Sequence, residues 1–344
     1  MVGKNSGWIP VGLVFLFGCT GVDQMSVPPT PDPKPNLGQP PVAAPPANVV
    51  GGFSAQIPEF TLEPGDEKFP CWLFPLEIEG PSHIVGGARL TTTVGMHHGN
   101  ITSRPITGEG IRECETGTDA TLAGNEANDI IKGGAVLFGS STQIEGEEWQ
   151  SFPDGMGYPV SEGYEIVARM HYLNATSETI TLAPSYDWYT IDEATVEHVL
   201  GPFAWVLSNW EIPPLTEKTV EANCRLPGEM HLVNLLPHMH GLGTAFFGSY
   251  MGGARDGEQF LDSAGYDPDS GVLTQYTPAI DLSQGEGASF GCTWMNTFDK
   301  PIGEGVGDDE MCILFGYAYP YEGAYSALAT EVGCAMLAPP PPGR

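Results

Sequence analysis

The stretch YEIVARMHYL, residues 164–173, decides the fold class together with two similar stretches further along the chain. These are MHLVNLL (230–236) and MCILFGYAY (311–319), and all three are apolar or alternating runs bounded by Gly, Pro and acidic residues. Such runs are typical of strands in half-buried antiparallel sheets. No helical periodicity is sustained between them, so the sequence predicts an all-β protein.

Length and composition extend this prediction to the whole chain. The 344 residues include 45 Gly and 32 Pro, and only 16% are charged. A chain of this length predicts about two domains, and this composition argues against helical bundles and coiled coils. We therefore expect two tandem β-sandwiches, an N-terminal one at 51–205 and a C-terminal one at 206–337.

The charge balance excludes one class of partner. The chain carries 13 Lys and Arg against 43 Asp and Glu, a formal net charge of −30. A surface this negative repels a phosphate backbone, so we expect no nucleic-acid partner.

The N-terminal residues predict export. Residues 1–19 read as a signal peptide whose apolar run is too short to span a membrane. The run ends in Leu-Phe-Gly-Cys, which resembles a bacterial lipobox and predicts a lipid anchor on Cys19. Thr20 in place of Asp favours the outer membrane, and an ordinary cleaved signal with an incidental Cys19 is the alternative. The Pro-rich segment 20–50 predicts a disordered linker, and we expect a disordered tail at 338–344.

Six cysteines remain after Cys19. An even number in an exported protein predicts three disulfides, and six cysteines allow 15 connectivities. The sequence pattern alone does not choose among them. The six are Cys71, Cys114, Cys224, Cys292, Cys312 and Cys334.

The histidines carry the candidate chemistry. Side chains two residues apart share one face of a strand, so His238 and His240 offer two imidazoles to one metal ion. His97 and His98 are adjacent and would point to opposite faces, but the glycines at 95 and 99 permit a bulge that brings both imidazoles to one ion. His171 lies on a predicted strand and is a third candidate ligand. Taken singly, each of these has a structural role as its alternative.

Five short motifs that contain these histidines or follow them in the chain resemble, in their order and spacing, the copper type II, ascorbate-dependent monooxygenases. This family includes the peptidylglycine α-hydroxylating and dopamine β-monooxygenases. The resemblance covers residues 69–334, and the last of its motifs is Glu310-Met311-Cys312. The motifs that carry the resemblance are Met96-His97-His98, His171-Tyr172, Met230-His231, His238-Met239-His240 and Glu310-Met311-Cys312. His83 and His198 lie outside these motifs, and we interpret them as structural or surface residues.

The resemblance implies a fold, a ligand set and a reaction. It implies two jelly-roll-like β-sandwiches with one copper ion each, the first held by His97, His98 and His171. The second ion, held by His238, His240 and Met311, would be the catalytic one, where O2 is activated to hydroxylate a substrate C–H bond. Ascorbate or an equivalent reductant supplies electrons, and the two ions face each other across a solvent-filled cleft. Imidazole suits copper, and a thioether favours Cu(I).

The resemblance also implies a disulfide pairing, and the oligomeric state is a separate expectation. The pairs would be Cys71 with Cys114, Cys224 with Cys334, and Cys292 with Cys312. We expect a monomer.

The substrate pocket departs from the peptidylglycine enzymes. Three positions that bind the substrate carboxylate there are Leu236, Ile313 and Phe315 here. A carboxylate buried against three apolar side chains would be desolvated without compensation. We expect a small apolar or aromatic substrate instead. Arg169, which replaces a family Gln, and Arg255 are the first alternative carboxylate-binding residues to test.

Two other functions remain open at this point. One is a periplasmic lipoprotein that binds or stores copper without turnover, and the other is a structural surface protein. Storage does not require two chemically different sites, whereas redox division of labour does, which favours the monooxygenase.

Overall fold

Strands make up most of the computed structural model, which describes residues 38–115, 129, 134–140, 144–263, 265–266, 273–283, 285–305 and 309–339. The expected signal peptide with Cys19, the first part of the linker and the end of the tail lie outside these residues. The predicted all-β class, with sandwich-like sheets, is confirmed.

The first thirteen strands are β1 Val49–Gln56, β2 Phe60–Leu62, β3 Glu67–Lys68, β4 Cys71–Pro75, β5 Ile84–Pro105, β6 Arg112–Glu113, β7 Val136–Gly139, β8 Ile144–Ser151, β9 Met156–Pro159, β10 Tyr164–Leu173, β11 Ile180–Leu182, β12 Ser185–Ile191 and β13 His198–Val199. Eleven of them form one sheet whose main order is β1-β12-β5-β10-β4-β6, and β2 pairs with β11 separately. The long strand β5 pairs with β12 and β8 in its first part and with β10 and β7 in its second. One strand thus organises most of this half.

The remaining strands are β14 Gly201–Leu207, β15 Glu211–Ile212, β16 Glu217–Arg225, β17 His231–His238, β18 Gly243–Met251, β19 Gln259–Asp262, β20 Thr274–Asp281, β21 Gly287–Met295, β22 Ile302–Gly303, β23 Ile313–Tyr319, β24 Ser326–Thr330 and β25 Gly333–Leu337. A six-stranded sheet has the order β20-β17-β23-β14-β24-β25, and a four-stranded sheet has the order β16-β21-β18-β19. Short 3₁₀ turns cover Glu193–Thr195, Gly253–Arg255 and Tyr321–Gly323.

Three disulfides connect these strands, in the pairs that the resemblance implies. Cys71 bonds to Cys114 in the first half. Cys224 on β16 bonds to Cys334 on β25, and Cys292 on β21 bonds to Cys312 just before β23. The last two bonds each tie the four-stranded sheet to the six-stranded sheet. Three disulfides are typical of proteins that fold in an oxidising, exported environment.

The six-stranded sheet is buried on both faces, which the sequence did not predict. On one face Leu232, Leu235 and Leu314 pack with the four-stranded sheet in the larger apolar core. On the other, Val233 and Tyr317 belong to the core of the first half. The apolar runs on β17 and β23 are therefore nearly continuous because both faces exclude water, as in other doubly covered sheets.

Part of the expected linker lies against the folded strands. Gln39 pairs with Gln275 of β20 through two backbone hydrogen bonds of 2.8 and 2.7 Å. The Ser151 hydroxyl donates to the Val42 carbonyl at 3.0 Å. The described end of the Pro-rich segment is therefore ordered by contacts that its composition does not reveal. Within the described residues, no helix is long and apolar enough to cross a membrane.

A buried ion pair lies between the strands of the first half. The guanidinium of Arg169 donates to the Asp129 carboxylate at 2.7 Å, and both side chains are at most 2% exposed. The Thr102 hydroxyl donates to the same carboxylate at 2.7 Å. The charge of Arg169 is therefore already compensated inside the protein.

This pair predicts a strong single-mutant effect. Arg169→Met leaves the Asp129 carboxylate buried without its cation, so the free energy of unfolding should fall by ~3–5 kcal/mol. The double variant Arg169→Met/Asp129→Leu removes both charges and should recover most of that loss. Urea unfolding followed by tryptophan fluorescence measures both changes, and a double variant as unstable as the single one would contradict the ion-pair account.

Candidate metal centre and adjoining cavity

A β-bulge places two adjacent histidines on one side of β5. His171 of β10 pairs with His98, and the next residue, Tyr172, pairs with Met96, so His97 is the extra residue. Gly95 begins the bulge with a φ of +105°, a conformation that residues with a Cβ rarely adopt. The bulge that the flanking glycines predict is therefore present, and it cancels the strand alternation at this point.

The bulge brings three imidazoles together. The ring centroids of His97, His98 and His171 lie 4.8 to 5.1 Å apart. One nitrogen from each ring lies within 4.8 Å of the other two, a spacing at which all three could bind one metal ion.

Two residues of the first half orient the His171 ring. Its Nε2 lies 2.7 Å from a carboxylate oxygen of Glu67, and because a carboxylate only accepts, Nε2 carries the proton. Nδ1 therefore keeps the lone pair that a metal ion needs. Phe69 stacks on the other face of the same ring at 4.3 Å between centroids.

His238 and His240 form the second group. His238 ends β17, and His240 follows it outside the strand, yet the two ring centroids lie 5.3 Å apart. His240 Nδ1 lies 2.7 Å from the Asp309 carbonyl, so Nδ1 donates and Nε2 keeps its lone pair. Hydrogen bonds of this kind set which nitrogen of a histidine faces a metal ion.

The two groups adjoin each other. The rings of His98 and His238 lie 5.9 Å apart between centroids. The five histidines therefore form one cluster, and within the described part of the chain no wide cleft separates the two ligand sets, contrary to the expectation from the resemblance. The physical reason is the contact between β17 and the first half, which brings the end of β17 against the bulge on β5.

Burial favours the neutral form of three of these imidazoles, those of His98, His171 and His238. Loss of water lowers the pKa of His98 well below its ordinary value and lowers the pKa of His238 to about 3, and the neighbouring histidines act in the same direction. Burial also lowers the pKa of His171, against the opposing effect of Glu67. His98 Nδ1 is buried and has no hydrogen-bond partner among the described residues. A neutral imidazole with an unpartnered buried nitrogen fits a metal ligand.

Glu310 holds the backbone around the second group. Its buried carboxylate accepts from the backbone N–H of His240 at 2.8 Å and of Leu242 at 2.6 Å. It also accepts from the indole N–H of Trp294 at 3.1 Å. Burial raises the pKa of Glu310, while these hydrogen bonds act in the opposite direction.

Met311 follows Glu310 directly. It is half-buried and lies two residues before Ile313, which pairs with His238. The chain thus places Met311 between a residue that contacts His240 and a residue opposite His238.

A cavity lies next to the histidine cluster. Its lining begins two residues after His98 on β5, at Asn100, and two residues before His238 on β17, at Leu236. The cavity is small: the centre of a water molecule can occupy about 30 Å³ of it, and the surrounding space of about 470 Å³ between protein atoms includes open solvent. Leu236 and Phe315 line it and pair with each other across β17 and β23. Ile313, the third predicted pocket residue, pairs with His238 and is not among the lining residues. The described residues that line it are Asn100, Thr102, Val136, Gly139, Gln150, Phe203, Asn234, Leu236, Leu273, Phe315, Gly316 and Tyr317.

The two arginines considered as carboxylate ligands are engaged elsewhere. Arg169 is paired with Asp129, as described above. Arg255 binds Glu258 at 2.5 Å and stacks over the Tyr250 ring at 3.8 Å. Neither lines the cavity, so the structure offers no support for either as a carboxylate ligand.

The remaining histidines lie outside the cluster. His83 contacts Glu162 at 3.5 Å. His198 and His231 stack on Tyr319 at 4.1 and 4.6 Å between ring centroids. These contacts agree with a structural interpretation of His83 and His198.

Sequence reasoning missed several residues of the site. Glu310 lies in one of the motifs that carry the resemblance, but the motif implies no role for it. Glu67 is 104 residues from His171 in the sequence, so no local pattern links the two. Asn234 offered a signal, since it is the one amide in the apolar run MHLVNLL. A lone polar residue in a buried strand requires a partner or a function.

Comparison with known proteins adds little here. No protein-family model matches the chain, and no curated protein matches it. Viral proteins are among the similar solved structures: the PBCV-1 virus capsid is 5% identical, covers 86% of this chain and 98% of its own, and has a TM-score of 0.25. The triple jelly-roll protein of an archaeal virus is 9% identical over 78% of this chain and 59% of its own, with a TM-score of 0.21. Infectious bursal virus T=1 particles give 10% identity over 83% of this chain and 73% of their own, at a TM-score of 0.21. These likenesses carry no argument about function.

The hydrogen bonds of Glu310 predict the effect of its amide. Glu310→Gln turns an NH2 group toward backbone N–H donors, so one buried donor loses its partner. The free energy of unfolding should fall by ~1–3 kcal/mol. Chemical unfolding measures this, with Glu322→Gln as the matched control because Glu322 is exposed. Equal stability of the two variants would contradict the role given to Glu310.

Proposed function

We propose that this protein is a copper-dependent monooxygenase that hydroxylates a C–H bond of a small, largely apolar molecule. The observation that carries the proposal is a cluster of five histidines from both halves of the chain, directly beside a cavity. The sequence resemblance supports the same activity, with two copper ions per chain and ascorbate or an equivalent as the reductant.

The donor set supports copper. Imidazole nitrogens suit copper, and a thioether such as that of Met311 selects Cu(I) over harder ions. The three-histidine group contains no carboxylate ligand, which disfavours magnesium and calcium. The unpartnered Nδ1 of His98 and the fixed tautomers of His171 and His240 agree with ligands prepared for a metal ion.

The cavity supports a reaction on an apolar carbon. When bound, copper would supply the oxygen chemistry of the reaction. In that reaction one atom of O2 enters the substrate C–H bond to give C–OH, and the other is reduced to water with two electrons and two protons. Leu236 and Phe315 hold apolar substrate atoms beside the cluster, and the ring of Phe315 lies 6.5 Å from that of His238. Their side chains also exclude water from this end of the cavity.

A specific observation favours the alternative of copper binding without turnover. The rings of His98 and His238 are so close that the two ligand sets leave little room for a substrate between them. The monooxygenase therefore requires the substrate to approach from the cavity side. A storage protein has no such requirement.

The location belongs to the same proposal. Three disulfides agree with export, and we propose that Cys19 carries a lipid anchor that tethers the protein to the outer membrane. The substrate and O2 would then be encountered outside the cytoplasm.

The first prediction of this proposal concerns Met311. The protein should bind two copper ions, and X-ray absorption of the Cu(I) form should detect sulfur at only one of them. Met311→Ile should remove the sulfur signal and abolish ascorbate-dependent oxygen uptake, because the second ligand set loses its thioether. The copper held by His97, His98 and His171 should remain.

Met251→Ile is the matched control, since Met251 ends β18 away from the histidines. It should keep both the sulfur signal and the uptake. Oxygen uptake is screened with apolar and aromatic compounds, and copper binding without uptake on any of them would favour storage. Full activity of Met311→Ile would refute the ligand assignment.

The second prediction concerns selectivity. A C-terminally glycine-extended peptide should show negligible turnover, at least ~10⁴-fold below the best neutral compound, because its carboxylate meets no cation in the cavity. Steady-state assays with both compounds decide this. Comparable turnover of the peptide would show that another residue binds the carboxylate.

A further inference from the structure

The cavity has a polar end that the apolar residues Leu236 and Phe315 do not account for. On β5, the alternation of side chains places Asn100 and Thr102 on the same face as His98. On β17, Asn234 lies two residues before Leu236. The histidine cluster is therefore followed along β17 first by the apolar residue Leu236 and then by the polar residue Asn234. Along β5 it is followed by Asn100 and Thr102.

Asn234 presents an unsatisfied donor to this end. Its Oδ1 accepts from the backbone N–H of Tyr317 at 2.9 Å, which fixes Nδ2 as the NH2 group. The residue is 1% exposed, and Nδ2 has no hydrogen-bond partner among the described residues.

Gln150, from the first half of the chain, presents a second amide donor to the cavity. It is 2% exposed and lines the same cavity. Its side chain interacts with the Tyr317 hydroxyl, but its Nε2 makes no hydrogen bond of good geometry to any described residue. Buried amide donors are nearly always paired in folded proteins. Two unpaired donors on one cavity therefore point to an acceptor that enters it.

The charges around the cavity determine what kind of acceptor this is. Thr102 lines the cavity and also contacts Arg169, but the guanidinium is compensated by Asp129. None of the described residues that line the cavity is charged. A carboxylate would therefore be buried without a counter-ion, whereas a neutral oxygen would only exchange water for the two amides.

We propose that the cavity binds the neutral carbonyl oxygen of a small aryl or alkyl carbonyl compound, through the amide NH2 groups of Gln150 and Asn234. The apolar part of that compound lies against Leu236 and Phe315, toward the histidines. This inference rests on the proposed function only in taking the bound compound as the substrate, and the binding itself requires no metal ion.

Binding to the metal-free protein tests the proposal. Acetophenone and α-methylstyrene have the same shape, but only the ketone carries an oxygen. Acetophenone should bind ~10-fold or more tightly, since two hydrogen bonds to otherwise unpaired donors distinguish them. Isothermal titration measures both affinities, and equal affinities would overturn the proposal. Benzoate should bind more weakly than acetophenone, and binding as tight as that of the ketone would overturn the preference for a neutral group.

Substitution locates the preference. Gln150→Met keeps the length of the side chain and removes its donors, so the preference for the ketone should fall several-fold. Gln259→Met, on the exposed residue of β19, is the matched control and should leave it unchanged. An unchanged preference in Gln150→Met would exclude Gln150 from the site.

A second measurement avoids any effect of substitution on folding. In ¹⁵N-labelled protein, the side-chain NH2 signals of Asn234 and Gln150 should shift with acetophenone and not with α-methylstyrene. Absence of any shift would show that only water occupies the polar end, and would refute the proposal. A preference for the ketone without copper-dependent oxygen uptake would refute the monooxygenase but support this binding site. Oxygen uptake without a preference for the ketone would support the monooxygenase but refute this binding site.

Discussion

The insertion of Tyr317 into the first half of the chain is the contact on which the site depends. Tyr317 comes from β23, yet its ring lies 5.0 Å from Tyr158 and 4.9 Å from Phe152 between centroids. Its hydroxyl donates to the Val136 carbonyl, and its backbone N–H is held by Asn234. This contact covers the second face of the six-stranded sheet and sets β17 against the first half. His238 meets His98 as a consequence.

Burial accounts for the electrostatics of the cluster. The protein carries a net charge of −30, and a carboxylate among the five imidazoles would favour their protonated forms. Loss of water instead lowers the pKa values of His98, His171 and His238. Glu67, the acidic partner of His171, is exposed, which limits its effect. The neutral, metal-binding form of these three imidazoles is therefore favoured in an otherwise acidic protein.

The sequence allowed local features to be predicted because their causes are local. Alternation predicts the strands, the glycines around His97 and His98 predict the bulge, and the resemblance implies the three disulfides. The closeness of His98 and His238 could not be predicted in this way, since it depends on how β17 docks against β5. The same holds for Gln150 and Asn234, whose missing partners become visible only when the cavity is formed. Contacts of Gln39 and Val42 with the sheets were missed because composition reports the tendency of a segment and not its neighbours.

The bulge at His97 explains how one strand serves two purposes. In a regular strand, His98, Asn100 and Thr102 would share a face, and His97 would point away from it. The extra residue brings His97 to the imidazole cluster without changing the face that Asn100 and Thr102 present to the cavity. A regular strand could supply the polar end but only one of the two adjacent imidazoles. The bulge therefore lets β5 supply two of the three histidines of the first group and part of the polar wall at a fixed distance from them. The spacing between the cluster and the acceptor site is then set by backbone hydrogen bonds, which makes it a rigid property of the sheet.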